Sequence, residues 1–131
     1  MLKTLVFYVN EQGITLAPFY DLVNINLYPD VDQDMAMALG DEFDSQQVHA
    51  YQLADFAESC QLPRRYVAQQ LRQLILKMLT TLQIVGDTSS LDPSFCWDES
   101  MKEYFSQYRK IVVSRCKHLS DEGLHITHVE L

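Results

Sequence analysis

The chain has 131 residues and carries 10 Lys+Arg against 18 Asp+Glu, a formal net charge of −8. That length suits one ordinary domain, residues 1–131, and does not easily hold a two-lobed enzyme with a separate nucleotide-holding lobe. A hydrophobic content of 47% argues against a disordered chain. The acidic balance argues against a nucleic-acid binder working through a broad basic surface, so no direct nucleic-acid contact is expected. The acidity is uneven. Residues 1–62 hold one base, Lys3, and ten acids, whereas residues 63–131 hold nine bases and eight acids. The acidic half reads either as a solvated face or as a patch for a metal ion or a basic partner. Three widely spaced cysteines, Cys60, Cys96 and Cys116, read as buried free thiols in a reducing compartment. No apolar run is long enough to span a membrane. The expectation is a cytoplasmic protein without a membrane segment.

In chain order, Thr4 to Val9 is rich in β-branched and aromatic residues, and Asn10-Glu11-Gln12-Gly13 supplies a turn. Ile14 to Ala17 resumes the β pattern and Pro18 stops it, so a β-hairpin is predicted. Residues 18–45 are irregular and acidic. Within them Met35-Ala36-Met37-Ala38-Leu39 fits a short strand or a helical turn equally well. Asp44 or Ser45 can cap a helix running to about Cys60. Pro63 suits the first position of the next helix, and Val67, Leu71, Leu74, Ile75, Met78, Leu79 and Leu82 form an apolar stripe that Gly86 ends. After a loop of turn formers from Asp87 to Pro93, Met101, Tyr104, Phe105, Tyr108, Ile111, Val112 and Cys116 mark another long helix. The tail from Ser120 reads as a short irregular segment. The fold class is mainly α (α+β): an N-terminal hairpin and metal-site segment over 1–45, then a bundle of three or more helices over 46–131.

Few residues suggest chemistry. His118, His125 and His128 lack the partners and spacing of a structural zinc site and read as surface histidines. Tyr104, Phe105 and Tyr108 sit at core spacing rather than forming a base-stacking platform. Arg64 and Arg65 open a helix, as solvated side chains or as partner contacts. Neither a Gly-rich phosphate loop nor a nucleophile elbow is present. The sharper feature is Leu16-Ala17-Pro18-Phe19-Tyr20-Asp21-Leu22-Val23. Here a single acid, Asp21, follows a strand end in an apolar setting. Such a carboxylate needs an ion pair, hydrogen bonds or a metal. It reads as a structural cap or as a Mg²⁺ ligand of the kind found just after a strand in kinases.

That segment resembles the magnesium-binding segment of the HipA-type serine/threonine kinases, the toxins of toxin–antitoxin pairs. The similarity continues through Leu27-Tyr28-Pro29 and Met35-Ala36-Met37-Ala38-Leu39-Gly40, and the following helices resemble the family's C-terminal helices. The resemblance covers roughly residues 1 to 118 and implies the family's C-terminal lobe. It makes Asp21 a Mg²⁺ ligand. It places Lys3 on the family's catalytic-loop lysine, Thr4 on its second metal ligand, an asparagine, and Met1 on its histidine. Thr4 offers a hydroxyl where an amide oxygen is expected. The catalytic aspartate would stand before Met1.

Phosphoryl transfer needs a base for the acceptor hydroxyl, a lysine for the phosphates and a pair of metal ligands in one constellation. The resemblance therefore implies a lobe inactive by itself. No catalytic or nucleotide-binding residue is assigned, and Mg²⁺ and ATP are expected only if a partner chain completes the site. The leading expectation is a binding module for an antitoxin-like protein or for a polypeptide resembling the missing lobe. The alternatives are half of a split kinase and a plain helical interaction domain. A lobe without its counterpart exposes an apolar patch, with Leu5, Phe7, Tyr8 and Phe19 as candidates. A homodimer is one way to cover it.

Overall fold

The structure is a computed structural model that describes residues 6–18, 23–86 and 98–131. Strands β1 (Phe7–Asn10) and β2 (Gly13–Leu16) form an antiparallel hairpin. The Asn10 side chain accepts the Gln12 N–H at 2.9 Å, and Gly13 takes a φ of +119° where the chain turns back. Ala17 N–H donates to Val6 O at 2.8 Å, so pairing continues one step beyond the strands, up to Pro18. Helices α1 (Ala50–Ser59), α2 (Arg64–Gly86) and α3 (Glu99–Gly123) complete the expected hairpin-plus-helices architecture. None of these helices is long and apolar enough to cross a membrane.

The connection between hairpin and helices is ordered by local bonds rather than by long elements. A 3-10 turn at Ile25–Leu27 follows Asn24, whose side chain accepts the Asn26 N–H. Gln33 then ties this stretch together by donating to the carbonyls of Tyr28 and Val31 at 3.0 and 2.8 Å. Met35 to Leu39 forms neither a strand nor a helical turn. Leu39 and Glu42 exchange backbone hydrogen bonds around Gly40 and Asp41, which have φ of +57° and +60°. That is the backbone pattern of a tight hairpin turn with two left-handed residues. A Cβ on Gly40 would also lie 2.6 Å from the Gln52 Cα, so the glycine allows this turn to rest against α1.

The first helix starts later than the sequence suggests. Asp44 caps only a 3-10 turn, Ser45–Gln47, by accepting the Gln46 N–H. Val48 then stays extended because its side chain is buried, and α1 starts at Ala50. At the far end Gln61 adopts a φ of +54° and the Leu62 N–H reaches Ala57 O, a left-handed cap that ends the helix. The Pro63 carbonyl accepts from Tyr66 and Val67 and opens α2. Asp98 opens α3 by accepting the Met101 N–H at 2.8 Å.

α2 and α3 run antiparallel. Gly86 at the end of α2 lies against Phe105 near the start of α3, and Gly123 at the end of α3 lies against Leu71. Ile75, Leu82, Val112 and Cys116 fill the seam, with Phe105 stacked on Tyr108 at 6.3 Å. A second cluster, Val48, Leu53, Ala54 and Ile126, joins α1 to the C-terminal turn, and Leu71 and Leu119 touch both clusters. The tail is thus not irregular. α3 continues to Gly123, and Ile126 just beyond it is fully buried. Of the cysteines, Cys116 is buried and burial pushes its thiol up, but Cys60 is exposed rather than buried; both are free thiols. Cys96 lies outside the described residues.

Replacing Ile126 by Ala removes the largest fully buried side chain among the described residues and is expected to destabilise the fold by about 2–4 kcal/mol in urea unfolding. Gly40→Ala is expected to lose about 1–3 kcal/mol in the same measurement, through left-handed strain and the clash with Gln52.

Candidate functional site

The hairpin register sorts its side chains cleanly. Phe7 pairs with Leu16 and Val9 with Ile14, so these four apolar side chains share one face. Tyr8, Thr15 and Asn10 occupy the other. The apolar face is open: Phe7 is 52% exposed, Val9 78%, Ile14 72% and Leu16 48%. Isolated two-stranded hairpins are marginal in water, and such a face favours a covering surface. The expected exposure of Phe7 and Tyr8 is therefore observed. Val9, Ile14 and Leu16 extend the patch, as the period-two alternation of the strands already allowed. Leu5 and Phe19 lie outside the described residues. A second apolar strip lies on α2, where Leu74 and Met78 face solvent although the periodicity counted them as core. The α2 stripe is wider than the surface α3 offers it, so only part of it is buried.

The residues assigned by resemblance to the metal, Asp21 and Thr4, lie outside the described residues, as do Met1 and Lys3. Arg64 is not a solvated side chain. It donates to Val129 O at 2.5 Å and pairs with Glu58, which ties the starts and ends of the helices together. Arg65 is exposed.

One group of three metal-ligating side chains comes together among the described residues: His49, His118 and Glu122. His118 and Glu122 stand four residues apart on one face of α3. His49 is the residue before α1, extended at φ −112° and ψ −176°, with its N–H donated to Gln52 Oε1. Glu122 Oε2 accepts the Ala50 N–H at 2.7 Å, and Oε1 lies 3.3 Å from His49 Nδ1. His118 Nε2 contacts Val48 O at 2.9 Å, and the two imidazoles meet edge to face at 5.1 Å. His118 is thus a half-buried, bonded histidine rather than a surface one, while His125 and His128 are exposed. Partial burial pushes the Glu122 carboxyl up. The Ala50 N–H, the His49 hydrogen bond and the charges of His49 and His118 outweigh it and hold the group below its ordinary 4.5. Sequence reasoning grouped His118 with the wrong histidines. The four-residue step from His118 to Glu122 was visible; the approach of His49 was not.

No family model matches the chain. A curated relative, the serine/threonine-protein kinase toxin HipA of Shewanella oneidensis, is 30% identical over 115 residues, which cover 88% of this chain. In structure, the chain is similar to HipA in a complex of HipA, HipB and operator DNA from the same organism. The TM-score is 0.81 at 29% identity over 97% of this chain. The chain is HipA-like. It corresponds to a segment only, spanning 25% of the curated HipA sequence and 29% of the HipA chain in that complex. The resemblance read from the Leu16 to Val23 segment is borne out across most of the HipA-like chain.

One expectation needs correction. Direct nucleic-acid contact was excluded on net charge, yet the similar HipA was solved in a complex that includes operator DNA. Net charge limits non-specific binding over a whole surface. It does not limit a local contact, or a place in an assembly that holds DNA.

Because the folded carboxyl of Glu122 sits below its ordinary value, its contribution to stability is present above pH 4.5 and is lost as pH falls through the lower folded value. With chelator present, Glu122→Gln is expected to be less stable than the parent by about 1 kcal/mol near neutrality. Urea midpoints across pH should show that gap closing as the medium becomes more acidic than pH 4.5.

Proposed function

We propose that this chain acts as a HipA-like C-terminal lobe: a protein-binding module of a toxin–antitoxin-like system in the cytoplasm, inactive as a kinase by itself. The observation that carries the reading is the open apolar face of Phe7, Val9, Ile14 and Leu16 in a chain that matches a segment of HipA. An amphipathic hairpin with one uncovered apolar face gains most of its stability from a partner surface. The partner is an antitoxin-like protein, because the similar HipA was solved with HipB and operator DNA. The module accordingly works within an assembly on DNA.

The proposed inactivity is supported by motifs these 131 residues do not carry. They carry no Gly-rich phosphate loop and no Asn-x-Asp-x-His catalytic segment, and they offer Thr4 where the family has a metal-binding asparagine. Phosphoryl transfer depends on positioning and electrostatic stabilisation by the whole constellation. Asp21 holds Mg²⁺ only when another polypeptide supplies nucleotide and the second ligand. ATP and Mg²⁺ are then shared with that partner rather than resident in this chain.

The test mixes the purified chain with a HipB-like protein from the same genome and its operator DNA. A stable complex that further retards the DNA is expected, and Val9→Asp with Ile14→Asp should weaken it about tenfold or more. Both side chains are mostly exposed, so helix content by circular dichroism should not change. Absence of a complex, or equal affinity of the double variant, overturns the module reading. Incorporation of labelled phosphate from ATP by the chain alone overturns its inactivity.

A further inference from the structure

We propose that His49, His118 and Glu122 bind a zinc-class divalent cation, with ligands other than the residues that kinase resemblance assigns to Mg²⁺. Two imidazoles and one carboxylate are the donor set of three-ligand zinc sites, which leave a fourth position for water or a small ligand. The geometry fits. His49 Nδ1 and Glu122 Oε1 are 3.3 Å apart. Two donors bonded at about 2.0–2.1 Å with a tetrahedral angle are separated by about 3.3–3.4 Å. One ligand atom from each of the three side chains lies within 4.8 Å of the others, so the three donors face a common space.

The surroundings hold the donors in the right state. Val48 O can only accept, so His118 Nε2 donates to it across 2.9 Å and Nδ1 is the nitrogen left to face a metal. The Ala50 N–H occupies Glu122 Oε2 at 2.7 Å, which leaves Oε1. Backbone partners of this kind orient ligating imidazoles and carboxylates in metal sites. The side chain of His49 is 48% exposed, which gives the ion a path from solvent. Because His49 precedes α1 while His118 and Glu122 end α3, the ion staples the start of one helix to the end of another. Without the ion, the His49–Glu122 ion pair and the edge-to-face contact of the two imidazoles link these side chains.

The experiment uses the full chain carrying Cys60→Ser, so that an exposed free thiol does not compete for zinc. The protein is stripped with chelator and titrated with Zn²⁺, Co²⁺ or Mg²⁺. One Zn²⁺ per chain is expected, with a rise in melting temperature that Mg²⁺ does not produce. Co²⁺ should give the visible bands of a four-coordinate site without thiolate charge transfer. His49→Ala should lower Zn²⁺ affinity about 100-fold or more with unchanged circular dichroism. The pair His125→Gln and His128→Gln should leave affinity intact. The proposal fails if Zn²⁺ does not bind at stoichiometric concentration, or if His49→Ala keeps the parent affinity. It also fails if binding vanishes only with His125 and His128, or if the Co²⁺ spectrum carries a thiolate band.

Discussion

The Ala50 N–H donates to Glu122 across 72 positions of sequence, and much of the helical part is arranged around that junction. α1 begins with unpaired backbone donors, as every helix does, and a carboxylate from the far end of α3 meets one of them. Around it, Val48 and Ile126 bury against each other with Leu53 and Ala54. Arg115 donates to Ser45 O, and Arg64 reaches Val129 O. Each of these contacts joins the segment before α1, α1 itself or the start of α2 to the C-terminal half of α3 or the residues after it. The end of α3 therefore positions the beginning of the helical part, and Leu71 and Leu119 pass that constraint to the α2–α3 seam.

The hairpin obeys a different balance. Its two strands pair with each other, but its four apolar side chains on one face are largely in water. The helical part keeps Ile75, Leu82, Val112 and Cys116 out of solvent with only two long helices, which leaves the wider α2 stripe uncovered at Leu74 and Met78. Apolar surface in both regions is thus left over after the molecule has built its own core. Such left-over apolar surface is where the proposed binding role would have to act.

The parts of the fold that could be read from the sequence are those set by local rules. Alternation and Gly13 fix the hairpin, Pro63 and Gly86 bracket α2, and the three- and four-residue steps of Phe105, Tyr108, Val112 and Cys116 identify α3. The failures share a cause. Asp44 and Ser45 are good local capping residues, yet α1 waits until Ala50 because Val48 must reach Ile126, a contact with no local signature. The tail looked irregular because one buried isoleucine among polar neighbours makes no period. Met35 to Leu39 looked like an element, but Gly40 and Asp41 turn it into a tight loop against α1. The same division applies to the histidine cluster: His118 and Glu122 are one helical turn apart, whereas His49 arrives only through tertiary packing. Asp21 and Thr4 rest on family resemblance alone.

Net charge misled for a related reason. The −8 is concentrated before residue 63, and seven of the ten acids there lie in the irregular stretch 18–45. Beyond it the chain holds nine bases against eight acids, so half of the molecule is close to neutral. At physiological ionic strength a charge is felt over about 8 Å. The potential at any one patch is therefore set mainly by the charges within that range rather than by the sum over the chain. In an assembly, DNA can be held by another chain while this one contributes apolar contacts alone. The sum over all residues decides only how the isolated protein repels a polyanion at long range.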